Sequence, residues 1–115
     1  MSETKDIVED LIQVLEARRS ADPGASYVAS LYADGLNRIL EKVGEEATEV
    51  VLAAKDAKSS HRDDALIHEV ADLWFHTLVM LVHLNQDPRW VLETLRERFG
   101  ISGHEEKTSR NAGSP

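Results

Sequence analysis

Two short acidic patterns carry the chemistry in this 115-residue sequence. One reads Lys42-Val-Gly-Glu45-Glu46-Ala-Thr-Glu49; the other reads Glu69-Val-Ala-Asp72-Leu-Trp-Phe-His76. On a helix, residues three or four apart share a face. Glu46 and Glu49 then fall roughly 60° apart around the axis, as do Glu69 and Asp72, with His76 between the latter two. Each pair borders an apolar stripe: Glu46 beside Val43, Ala47 and Val50, and Glu69 beside Leu66, Val70 and Leu73. A merely solvated acidic face would lie opposite the stripe. Four carboxylates converging across packed helices repel and cost stability unless a cation sits among them. Hard oxygen donors suit Mg²⁺ or Mn²⁺, which complete their shells with water and substrate phosphates. The chemistry this predicts is metal-assisted attack of water on a phosphoanhydride.

The competing reading of the same residues is a solvated face, since a helical protein with 30% charged residues contains Glu-x-x-Glu by chance. A di-iron carboxylate centre is a second competitor, but it uses Glu-x-x-His, whereas the spacing here is Asp72-x-x-x-His76. His61, His68 and His83 fit structural or surface roles, His83 as a favourable charge near a helix C-terminus. Lys42 lies one turn before Glu45 and Glu46, so it either pairs with them or touches a substrate phosphate. The remaining basic side chains that could meet phosphate are few, among them Arg18, Arg19, Arg38, Arg96, Arg98, Lys107 and Arg110. Lys107 and Arg110 belong to a polar tail that either solubilises the chain or folds over an anionic ligand. There is no G-x-x-x-x-G-K loop, no G-x-G-x-x-G and no nucleophile elbow, so phosphate handling falls to metal and side chains.

Helices must position these groups. Ile7, Val8, Leu11, Ile12, Val14 and Leu15 form a stripe that predicts a helix over residues 4–20, capped by Ser2 or Thr4. Pro23 and Gly24 mark a loop, and a short helix over 26–34 follows, capped by Ser26 and ended by Gly35. Leu36, Ile39, Leu40, Val43, Ala47, Val50, Val51 and Ala54 keep a 3.6-residue period, predicting a helix over 36–57. Leu66, Val70, Leu73, Thr77, Met80, Leu81 and Leu84 predict another over 62–85. The short connection makes these two an antiparallel hairpin. Asp87-Pro88 starts a last helix with Asp at N-cap and Pro at N1; Trp90, Val91, Leu92, Leu95 and Phe99 are its apolar face, and Gly100 stops it. Trp74 and Trp90 are expected in a core or a subunit interface. The fold class is all-α, a helical bundle, with one domain over 1–100 and a tail over 101–115.

Composition narrows the class further. Lys plus Arg number 13 and Asp plus Glu 21, a net charge of −8, which disfavours nucleic acid and anionic membranes as partners. The absence of cysteine removes disulfides, thiolate zinc sites and a cysteine nucleophile. The longest apolar run falls short of the roughly 20 residues of a membrane span, and the N-terminus has no secretory core. The expected location is the cytoplasm. A chain of this length buries a modest share of its surface alone, which favours oligomerisation.

The blocks Ala21-Asp-Pro-Gly-Ala-Ser-Tyr27-Val, Gly35, Lys42-Val-Gly-Glu-Glu-Ala-Thr-Glu49 and Glu69-Val-Ala-Asp-Leu-Trp-Phe-His76, in this order, resemble the phosphoribosyl-ATP pyrophosphohydrolases. The tail Ser102-Gly-His-Glu-Glu-Lys107-Thr-Ser-Arg110 looks like the ending of some members. Glu-Glu-x-x-Glu followed by Glu-x-x-Asp alone would mark only the wider MazG-like all-α nucleoside triphosphate pyrophosphohydrolases. The resemblance implies the second step of histidine biosynthesis, in which 1-(5-phosphoribosyl)-ATP and water give phosphoribosyl-AMP and pyrophosphate. It implies Mg²⁺ held by Glu46, Glu49, Glu69 and Asp72, with Glu45 as ligand or base for the attacking water. It implies substrate contacts from Lys42, Arg18, Ser26, Tyr27 and Lys107; His76, which shares a helix face with Asp72, and Arg110 of the tail are further candidate substrate contacts. Val28 stands where many relatives have Thr, which deletes a hydroxyl. The group forms dimers or higher homo-oligomers with sites near subunit contacts. Some relatives carry a fused cyclohydrolase domain; this chain is expected to be monofunctional, with a separate phosphoribosyl-AMP cyclohydrolase as a partner.

Two other functions compete. A house-cleaning pyrophosphohydrolase of non-standard or deoxy nucleoside triphosphates would use the same carboxylates and metal. A non-catalytic helical dimerisation module would need neither.

Overall fold

The computed structural model describes residues 3–58 and 61–100, with side chains from residue 7 onward. The elements are α1 (Glu3–Ala17), a 3-10 turn (Arg18–Ser20), α2 (Tyr27–Asp34), α3 (Leu36–Asp56), α4 (Asp64–His83) and α5 (Arg89–Phe99). No strand occurs among the described residues. The chain is all-α, as its periodicity predicts. Boundaries differ from the expected ones by a few residues, where local caps decide them.

Those caps are visible. The Ser26 hydroxyl accepts a hydrogen bond from Ala29 N and opens α2. Gly35 ends α2 and begins α3 at φ +98°, a backbone region that a Cβ disfavours. A Cβ there would touch nothing within 4 Å, so backbone conformation rather than space requires the glycine. Asp63 caps α4 by accepting from Leu66 N at 3.0 Å. Asp87 Oδ1 accepts from Arg89 N at 2.9 Å, but α5 begins at Arg89 with Pro88 at its N-cap, one residue later than the expected Asp87 cap and Pro88 first turn. Gly100, in the left-handed conformation at φ 62°, stops α5. The expected cap of α1 and the tail over 101–115 lie outside the described side chains.

The chain divides into two compact units, Met1–Asn85 and Gln86–Pro115. α5 falls in the second unit. On α5, Trp90, Val91, Leu92, Leu95 and Phe99 are exposed.

In the first unit, α3 and α4 share the most extensive contact, with α2 against α3 and α1 against α4. The core is Leu15, Val28, Leu31, Ile39, Val79 and Val82, flanked by Leu11, Tyr32, Phe75, Leu78 and Met80. It therefore sits where α1 and α2 cover the start of α3 and the end of α4. The other end of the hairpin has no such cover. Of the expected α3 stripe, Ile39 is buried, while Leu40, Val51 and the neighbouring Leu52 are exposed. On α4, Ile67 and Trp74 are exposed as well, which removes Trp74 from the core of the single chain. Its 20 residues and mean hydropathy of 1.4 make α4 long and apolar enough to cross a membrane by length and composition alone. Core helices of soluble proteins share that property, and α4 carries Glu69 and Asp72 in mid-helix.

Candidate functional site

The uncovered end of the hairpin holds the acidic residues. Glu46 is buried, 6% exposed, although it stands on the same helix as exposed Val51 and Leu52. Glu46, Glu49 and Glu69 each offer a carboxylate oxygen, and these atoms all lie within 4.8 Å of one another. Like charges at such distances repel by roughly 3–4 kcal/mol per pair near a protein surface. One oxygen of Glu46 and one of Glu69, Oε1 in each, are buried without a hydrogen-bond partner. Buried carboxylate oxygens are normally satisfied, so this pair asks for a partner from outside the chain. Hard anionic oxygens fit a hard divalent cation. These three carboxylates could hold a metal ion.

Lys42 is the local counter-charge. Its Nζ lies 3.5 Å from Glu46 Oε2 and 3.6 Å from Glu45 Oε1. Burial alone would lower the Lys42 pKa; the electrostatic pull of neighbouring Tyr27, Glu46 and Glu45 outweighs it and holds the pKa above the usual lysine value. The ammonium thus stays charged beside the carboxylates.

Next to this group lies an open cleft of about 580 Å³, lined by Tyr27, Lys42, Glu46, Asp72, Phe75 and His76 among others. His76 is buried, 5% exposed. Its Nδ1 is 2.8 Å from the Asp72 carbonyl oxygen, one turn back on α4. A carbonyl only accepts, so Nδ1 carries a hydrogen. In the uncharged ring Nε2 is then an acceptor, and the Tyr27 hydroxyl donates to it at 3.0 Å. The Tyr27 ring stacks on Phe75, with centroids 6.2 Å apart and planes 17° apart.

The expected residues do not all come together. Glu46, Glu49 and Glu69 converge. Asp72 is exposed and lines the cleft, outside that carboxylate group. Glu45, 54% exposed at its side chain, is tied to Lys42 and faces a groove along α3 that also includes Leu40, Gly44 and Leu52. Arg18 and Ser26 meet each other at the start of α2, Arg18 Nη1 donating to Ser26 Oγ at 3.2 Å, beside Tyr27. Lys107 and Arg110 lie outside the described residues. Phe75 was not singled out from the sequence; its place directly before His76 was the available signal, but a lone aromatic on an apolar helix reads as core.

The family of phosphoribosyl-ATP pyrophosphohydrolases matches residues 8–99. A relative from Hydrogenovibrio crunogenus named phosphoribosyl-ATP pyrophosphatase is 53% identical over 108 residues, covering 94% of this chain and 96% of its own length.

Proposed function

This chain belongs to the phosphoribosyl-ATP pyrophosphohydrolase family, and from that premise we propose that it hydrolyses 1-(5-phosphoribosyl)-ATP to phosphoribosyl-AMP and pyrophosphate, the second step of histidine biosynthesis. The observation that carries the reading is the convergence of Glu46, Glu49 and Glu69 around two partnerless buried oxygens, beside a lysine and an open cleft. In the reaction, a water oxygen bonds to phosphorus, the bridging P–O bond of the α–β anhydride breaks, and pyrophosphate leaves.

Glu46, Glu49 and Glu69 would hold Mg²⁺, with Asp72, on the cleft lining, as the candidate fourth ligand. Bound there, the ion supplies Lewis-acid polarisation of the phosphoanhydride and charge neutralisation. Lys42 brings a fixed positive charge to the phosphate oxygens. Glu45, exposed and one residue from Glu46, is the candidate acceptor for the proton of the attacking water. Arg18, Ser26, Tyr27 and His76 extend the cleft toward the rest of the substrate; Lys107 and Arg110 remain candidate phosphate contacts.

The exposed apolar side chains of α3 and α4, among them Val51, Leu52, Ile67 and Trp74, support a homodimer or higher homo-oligomer in which a second copy covers the open part of the hairpin. A nucleotide substrate and a cysteine-free chain fit the cytoplasm, where a separate phosphoribosyl-AMP cyclohydrolase would consume the product.

The test is pyrophosphate release from phosphoribosyl-ATP with Mg²⁺, beside ordinary and deoxy nucleoside triphosphates, with EDTA as control. EDTA-sensitive release from phosphoribosyl-ATP alone is the expected result. Release mainly from the other triphosphates would make this a house-cleaning enzyme; release from none would leave a non-catalytic module.

A further inference from the structure

Tyr27 occupies an unusual position for an aromatic residue at the start of a helix. The residue is 54% exposed, yet its hydroxyl is hydrogen-bonded to a buried histidine. Nδ1 of His76 is in turn hydrogen-bonded to the Asp72 carbonyl of its own helix, at 2.8 Å. Phe75 backs the Tyr27 ring at a shallow interplanar angle, and the His76 ring meets it edge-on, with centroids 6.1 Å apart at 85°. An exposed tyrosine normally samples several rotamers; this one is anchored at its far end and supported from one side. Its remaining surface faces a cleft that also holds Lys42, Glu46 and Asp72. A preoriented aromatic surface next to phosphate-handling groups matches a ligand that has an aromatic ring at one end and phosphates at the other.

We propose that Tyr27 is the stacking platform for the nucleobase of the substrate. The inference rests on the reading of the site as a nucleotide pyrophosphohydrolase and adds the group that tells a nucleotide from a bare sugar phosphate. Stacking uses the face of the ring rather than the hydroxyl, so phenylalanine retains most of it and leucine does not.

Calorimetric titration of AMP and of ribose 5-phosphate into wild type, Tyr27→Phe and Tyr27→Leu separates the base from the phosphate. Tyr27→Leu is expected to weaken AMP on the order of 10- to 100-fold, the usual range for a lost base–aromatic stack, with ribose 5-phosphate unchanged. Tyr27→Phe is expected to stay within a few-fold of wild type for both. In turnover, Tyr27→Leu should raise KM far more than it lowers kcat. Equal weakening of both ligands, an unweakened AMP, a Tyr27→Phe loss as large as that of Tyr27→Leu, or a wild type that binds AMP no tighter than ribose 5-phosphate would each overturn the platform. Failure of the pathway reading shows separately, as absent pyrophosphate release from phosphoribosyl-ATP by the wild type. The substitutions fall on a half-exposed side chain, and an unchanged melting temperature excludes unfolding as the cause.

Discussion

Lys42 Nζ lies 3.5 Å from Glu46 Oε2, while Oε1 of the same carboxylate is buried with no partner. One lysine thus satisfies half of a buried glutamate, and the other half is left for a ligand. Lys42→Met should unpair both oxygens and destabilise the fold by about 1–3 kcal/mol without divalent cation. Adding Mg²⁺ should recover much of that, and turnover should stay on the order of 10²-fold below wild type. Urea denaturation with and without Mg²⁺, beside a rate assay, checks both; a variant as active as wild type would remove Lys42 from the phosphate contacts.

Glu49 offers the cleaner probe of carboxylate repulsion. Replacing Glu46 by Gln also forfeits its Lys42 pair, whereas Glu49 is exposed and no ion pair involving it is seen among the described residues. Glu49→Gln should therefore raise the metal-free melting temperature slightly, through relief of like-charge repulsion, and lower turnover. A fall in stability would mean that the three carboxylates do not repel in solution.

Glu69→Gln should cut turnover by at least about 10²-fold with the helical circular-dichroism signal intact. Unchanged turnover would take Glu69 out of the metal shell.

Divalent cation should stabilise the folded protein by mass action. At 100 times its Kd, a ligand bound only by the folded state adds about 2.7 kcal/mol. Scanning calorimetry should show a melting temperature that rises with Mg²⁺ or Mn²⁺, returns with EDTA, and barely responds in Glu49→Gln or Glu69→Gln. No shift in wild type would contradict the metal site.

Tyr32 sets an alkaline limit. Its hydroxyl donates to the Leu15 carbonyl at 2.9 Å, and burial pushes its pKa from 10.0 up to about 12, against a lowering by Arg19. The folded state keeps this proton where the unfolded chain releases it. The stabilisation is complete below pH 10 and is lost as the pH rises from 10 toward about 12. Tyr32→Phe should be less stable at neutral pH, by about 1 kcal/mol for the lost hydrogen bond, but should decline less steeply above pH 10. Parallel curves in denaturation across pH 8–11.5 would rule out this origin.

Trp74, 63% exposed on α4, tests the homo-oligomer. Analytical ultracentrifugation should give at least twice the chain mass for wild type and a shift to monomer for Trp74→Glu. A monomeric wild type would refute the homo-oligomer.

Much of this molecule was legible from spacing. The helices, the cap at Ser26, the stop at Gly35 and the side-by-side placement of Glu46 with Glu49 follow from local rules, because a helix fixes which neighbours share a face. The apolar stripe of α3 was legible as a stripe, but not as an uncovered one. Ile39 is buried and Val51 is exposed because α1 and α2 reach only one end of the hairpin.

The sequence by itself determined an all-α chain with two acidic helix faces and a lysine one turn before them. Only the tertiary structure decided that Glu69 meets Glu46 and Glu49 while Asp72 faces the cleft. It also decided that Tyr27 reaches His76 across 49 residues, and that a single oxygen on each of Glu46 and Glu69 is buried alone. The reason is physical. Faces within one helix are set by its own period, but the rotation of α3 against α4, and of α2 against both, is set by how Leu31, Ile39, Val79 and Val82 pack, and pattern alone leaves that rotation free.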